Sequence, residues 1–150
     1  MNTHFIKSNE KRDIVEQLKE QFGIEELPYL LIESGKEKIR AFSGSLSKEE
    51  IIQIGGLVKV EIVGLYLLKK ENDFRLSLDA ATILKNQITK NILEINDEQF
   101  YKWIRGYDLQ IEVPRGTYVI KYKNDFIGCG KSNEKTIFNY VPKDRRIKKP

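Results

Sequence analysis

The chain has 150 residues, 32% charged and 40% hydrophobic, with a formal net charge of +4. That length allows one ordinary domain or two small ones around a real core, and no stretch reaches the roughly 20 apolar residues that a membrane helix needs. One cysteine and one histidine exclude an internal disulfide, a cysteine-based zinc site and most metal and acid–base chemistry.

The first eleven residues lack the apolar centre of a signal peptide, so a cytoplasmic protein is expected. The abundance of Lys, Glu and Ile leans toward a thermophile's composition, which bears on stability and not on function. Ile14, Leu18 and Phe22 recur at i, i+4 and i+8 and predict an amphipathic helix over 13–22 that stops at Gly23. Pro28 then opens an extended stretch over 29–32. Ser34-Gly35-Lys36 reads as the turn into a second strand over 38–42. Ser47, with Glu50 three residues on and Ile51, Ile52 and Ile54 following, fits a capping box and a second helix ending at Gly55-Gly56. Strands are expected over 59–69 and 74–78, joined at Asn72-Asp73, and then a short helix capped by Asp79. These elements make an N-terminal α/β unit over residues 1–89.

A second unit is expected over residues 90–150. A strand over 91–95 leads to a helix capped by Asn96 or Asp97, with Gly106 where a left-handed C-terminal residue belongs. Only strand signals follow: 109–113, the turn Pro114-Arg115-Gly116, 117–123, the turn Asn124-Asp125, 126–131 and 136–141 before Pro142. Short strands at this spacing suggest a small closed barrel. The predicted class is therefore α+β, an α/β unit followed by a β-barrel.

Charge separates the same two parts. Residues 113–150 hold ten Lys or Arg and three acids, a net of +7, which leaves −3 on residues 1–112. A basic segment set apart in this way points to a polyanionic partner, with nucleic acid ahead of an anionic membrane surface.

The order strand, helix ending in Gly106, strand, then Gly116-Thr-Tyr-Val-Ile-Lys-Tyr-Lys-Asn-Asp-Phe-Ile-Gly128-Cys-Gly130-Lys131 and Val141-Pro-Lys-Asp-Arg-Arg146 resembles a PUA domain over residues 91–147. The resemblance implies a small pseudo-barrel that binds structured RNA. The first unit, with Phe74-Arg75-Leu76-Ser77-Leu78-Asp79-Ala80 closing its strand pair, is similar to the N-terminal domain of the Nip-seven family. Those proteins are two-domain ribosome-biogenesis factors of archaea and eukaryotes. The two-part arrangement also resembles segments found beside RNA cytosine methyltransferases of the Nol/Nop/Sun group.

Candidate RNA contacts follow from the charge and from the resemblance. Gly128 and Gly130 allow either close approach of an RNA backbone or a bulge that turns a corner of the sheet, and Lys131 just beyond reaches a phosphate in either case. Lys143, Arg145 and Arg146 read as phosphate contacts or as a solvated tail, the planar forks of the arginines favouring phosphate. Arg105, Gly106 and Tyr107 acquire an RNA role from the resemblance, while Arg105 alone also suits a helix C-terminus. Arg115 borders the next strand. Tyr101, Trp103 and Tyr107 are the rings on which bases could stack, Trp103 fitting the core better.

Catalysis finds no support in the residues. Cys129 has no partner base in its own unit and reads as an inert buried thiol. Gly128-Cys-Gly130 lacks the third glycine, the following helix and the acidic residue of a dinucleotide-binding loop. The expected protein is a non-enzymatic RNA-binding factor in ribosome biogenesis and rRNA maturation, needing no cofactor or metal. Its expected partners are structured RNA, either rRNA or tRNA, together with ribosome-assembly proteins or a separate RNA methyltransferase.

Overall fold

The computed structural model describes residues 3–35, 37–42 and 65–148. The helix expected from the Ser47 capping box, the Gly55-Gly56 stop and the first part of the strand over 59–69 lie outside the described residues.

The first described helix, α1 (Ser8–Phe22), starts five residues earlier than its apolar spacing shows and ends at Gly23. Its Ile14, Leu18 and Phe22 are buried against an antiparallel five-stranded sheet. The sheet runs in chain order through β1 (Thr3–Phe5), β2 (Leu30–Ser34), β3 (Lys38–Phe42), β4 (Leu65–Lys70) and β5 (Phe74–Leu76). Neighbouring residues on a strand point to opposite faces. Leu67 and Leu68 are both fully buried, so β4 is covered on both sides. Its second cover comes from α2 (Leu78–Ile83), while the next sheet packs against the neighbouring β5. The cap of α2 is Ser77 and not Asp79: the Ser77 hydroxyl accepts the Ala80 N–H at 3.0 Å and donates to the Tyr66 carbonyl. Ser77 wins because it stands directly before the first helical residue, where a side-chain oxygen can reach the third free N–H.

A 3₁₀ turn (Lys85–Gln87) leads toward the second half. The chain there is tied to the end of α1: the Thr89 and Lys90 amides both donate to the Phe22 carbonyl, at 2.8 and 3.2 Å. The second sheet holds β6 (Ile92–Glu94), β7 (Gly116–Tyr122), β8 (Asp125–Ser132) and β9 (Ile137–Asn139) in that order, β6 parallel to β7 and the rest antiparallel. Between β6 and β7 stands α3 (Asp97–Trp103), with a full capping box between Asn96 and Gln99. Tyr122 lies opposite Asp125, so the hairpin turn is Lys123-Asn124, one residue earlier than expected, with Lys123 at φ 54°.

Neither sheet closes among the described residues. In place of the expected strand over 109–113 there is one antiparallel bridge, in which Leu109 and Ile137 exchange both backbone bonds. Beyond it side chains hold the segment: Thr136 Oγ1 and Gln110 Oε1 are 3.2 Å apart, and Ser132 Oγ donates to the Val113 carbonyl. The segment thus lies along β9 without building a ladder.

One face of the second sheet packs Ile120, Ile137 and Val141 around Trp103. The other turns Val119 and Cys129 into the same cluster as Leu76, Ala80 and Ala81 of the first half. The two halves share a core through β7 and β8.

Candidate nucleic-acid interface

Two of the expected site residues meet directly. At Gly106 the chain leaves α3 at φ 92°, and a Cβ there would fall 2.4 Å from Nε and 2.5 Å from Cδ of Arg146. Glycine is thus required for the left-handed turn, and the room it leaves is taken by the flexible end of Arg146. Arg146 is held in place by its Nε, which donates to the Val141 carbonyl at 3.0 Å, and by the Ile147 amide, which donates to the Ile104 carbonyl at 2.8 Å. The basic C-terminal segment is folded back over the end of α3.

Asn139 fixes the same loop from beneath. Its Nδ2 donates to the carbonyls of Trp103 and Tyr107, at 2.8 and 2.9 Å, and its own N–H bonds the Asp108 carboxylate. Arg105 is half-buried at this turn, and Tyr107, 61% exposed, stands open to solvent with Tyr101 at 55%. Gly106 and Arg146 therefore meet at this turn, with the cation Arg105 and the exposed ring of Tyr107 on either side of Gly106 in the chain.

The remaining expected residues distribute differently. Arg145 turns toward the first half and pairs with Asp79, its Nη1 lying 3.2 Å from Oδ1. Lys131 is bonded to Glu71, also in the first half. Lys143 is exposed in the 3₁₀ turn Lys143–Arg145. Arg115 is exposed before β7, beside the Gly116–Ser132 end of the sheet, and no described contact links it to the Gly106 turn.

Gly128 and Gly130 are buried, and the room they leave is filled from inside the protein. A Cβ on Gly130 would lie 2.5 Å from Ile137 Cγ2 and 2.8 Å from Trp103 Cη2. Gly128 takes φ 114° on the same wall. Trp103 is wholly buried, with Nε1 donating to the Ile127 carbonyl at 2.8 Å, which removes it from the set of stacking rings.

Burial pushes the Cys129 thiol up to about 12, so it is neutral at ordinary pH and a poor nucleophile. Glu71 behaves in the opposite way. Burial alone would raise its carboxyl, but the bond from Lys131 and the charge of Arg75 outweigh that and hold it below its usual range. His4, the single histidine, is in β1, with Nε2 3.6 Å from Glu33 Oε1. His4, Glu10 and Glu33 bring ligand-type atoms within 4.8 Å of one another, yet Lys70 Nζ already pairs with Glu33 at 3.1 Å.

Three further residues, apart from those meeting at Gly106, escape sequence reasoning. Arg75 lies over the Tyr140 ring, 4.0 Å from its centre, and Phe138 is exposed two residues before Tyr140. The alternation Ile137, Phe138, Asn139, Tyr140 carried the signal, since every second residue must face away from Trp103.

Residues 90–147 match the family described as the Methyltransferase RsmF PUA domain. No curated protein matches the chain significantly in sequence. Among solved structures, a conserved PUA domain protein from Thermoplasma acidophilum superposes with a TM-score of 0.62 over 93% of each chain, at 16% identity. Among the described residues no helix is long and apolar enough to cross a membrane.

Proposed function

We propose, on the premise that residues 90–147 carry a PUA domain, that this chain is a non-enzymatic RNA-binding protein that docks on structured ribosomal RNA during subunit maturation. PUA domains generally bind RNA. The observation that carries the reading here is the folding of Arg146 over Gly106, which brings the chain's basic segment onto the loop after α3. Arg105, Arg146, Tyr101 and Tyr107 then offer phosphate donors and stacking rings, with Lys143 and Arg115 adding to the positive field. Binding by such a surface is driven by phosphate neutralisation, and the shape of the folded RNA supplies selectivity. The first half, net negative, contributes protein contacts and orientation, as in the Nip-seven-like arrangement expected above.

A second reading is favoured by one observation: the matched domain is that of a methyltransferase. In it, the chain is an accessory subunit that delivers RNA to a separate RNA-modifying enzyme. Crosslinking the full chain to RNA in its host cells, with identification of the co-purified proteins, tests both. Ribosomal precursor RNA with assembly proteins supports the first reading. A methyltransferase chain without precursor particles supports the second, and absence of crosslinked RNA overturns both.

A further inference from the structure

The cleft between the two sheets gathers residues that neither half brings together alone. Tyr66, Arg75 and Asp79 enter from the first half, and Cys129, Tyr140 and Arg145 from the second, around a space of about 70 Å³. A water's share of liquid volume is about 30 Å³, so this space takes roughly two waters or one phosphate-sized group, and not a nucleobase.

Arg75 dominates the cleft. Its side chain is only 14% exposed, its guanidinium lies flat enough over Tyr140 to sit 4.0 Å from the ring centre, and its Nε is 3.3 Å from Glu71 Oε1. A guanidinium carries five N–H donors. Among the described residues only the Nε of Arg75 meets a protein acceptor. Since no fully buried side-chain nitrogen among them lacks a partner, the terminal N–H groups of Arg75 keep contact with solvent, and Arg75 lines the cleft. Arg145 likewise spends Nη1 alone, on Asp79. Two planar forks, one from each half, thus hold unused donors at one phosphate-sized space, which is the geometry that recognises a tetrahedral anion.

The rim adds rings. Phe138 and Tyr140 are 39% and 38% exposed on the face of β9 turned away from Trp103, and Lys131 stands opposite Phe138 in the ladder. Three cations, Arg75, Lys131 and Arg145, face two carboxylates, Glu71 and Asp79, so the cleft keeps a positive excess. Exposed rings beside cations suit single-stranded nucleic acid, whose bases stack while its phosphates are neutralised.

We propose that this cleft is a second nucleic-acid site for an unpaired segment adjoining the structured RNA: Arg75 and Arg145 hold one backbone phosphate, and Tyr140 and Phe138 stack the neighbouring bases. The proposal rests on the RNA-binding reading above and extends the RNA surface onto the first half of the chain. It is tested on the full chain with two labelled RNAs, a hairpin alone and the same hairpin with a short single-stranded 3′ extension. The extension should tighten binding by about tenfold, the scale of one or two stacked bases. Phe138→Ala, which removes an exposed ring, should abolish most of that gain and leave hairpin affinity and thermal unfolding unchanged. Arg75→Lys, which keeps the charge and loses the fork, should also reduce the gain severalfold. An extension that adds nothing, or a gain that survives both substitutions, overturns the proposal while leaving hairpin binding intact; failure to bind either RNA overturns the RNA-binding reading with it.

Discussion

Arg146 rests on Gly106, in the space where any other residue would carry its side chain. Two penalties therefore meet in Gly106→Ala, the left-handed φ of 92° and the overlap with the guanidinium. The substitution should destabilise the protein by about 1–3 kcal/mol and lower RNA affinity by displacing Arg146. Made in an Arg146→Ala background it should be milder, because only the backbone strain remains. Thermal unfolding of the single and double variants measures the coupling. Equal effects in both backgrounds would show that Arg146 does not occupy that space in solution.

Gly130 poses the opposite case, a glycine explained by packing. Gly130→Ala should lose about 1–3 kcal/mol through collision with Ile137 and Trp103, a fall in Tm of roughly 2–4 °C for each kcal/mol in a chain of this size. Hairpin affinity, measured below the transition, should stay within twofold of the parent. A selective loss of affinity with stability intact would return Gly130 to the RNA surface.

Much of this was legible in the residues, and the misses share one cause. Helix α1 declared itself through Ile14, Leu18, Phe22 and the stop at Gly23, and α3 through its cap at Asn96 and the left-handed Gly106 beyond its end, because both signals are local. The reason for Gly130 is not local: it depends on Trp103, which arrives from another element. The segment over 109–113 has strand composition, yet side-chain bonds from Ser132 and Thr136 replace its ladder. Arg75 and Tyr140 are 65 positions apart, and only the packing of the second sheet against the first makes them one site.

Cys129 gives a pH signature. Its folded value, about 12, lies above the ordinary 9.0, so the folded state holds the proton more tightly than the unfolded one. The resulting stability is complete below pH 9 and is lost as pH rises toward 12, at up to about 1.4 kcal/mol per pH unit. Denaturant unfolding of the parent and of Cys129→Ala across this window should converge as pH rises, since the variant lacks this one titration. Parallel curves would mean that the thiol is not buried as described.

Val119, Cys129 and the partly buried Phe126 pack against the core of the first half. A fragment of residues 90–150 alone would expose all three, and it should unfold at a lower temperature than the full chain or fail to fold, as read by circular dichroism. A fragment as stable as the whole would mark residues 90–150 as an independent domain.

The central claim is that a basic C-terminal segment laid over the loop after α3 grips RNA phosphates. The most direct measurement is hairpin affinity across a salt series for the parent and for Arg145→Glu/Arg146→Glu, with thermal unfolding recorded on both. The parent should show log affinity falling linearly with log salt, with a slope that reflects several neutralised phosphates. The double variant should bind on the order of a hundredfold more weakly, with a shallower slope. A folded double variant that binds as tightly as the parent, or parent binding that is flat in salt, would contradict the account.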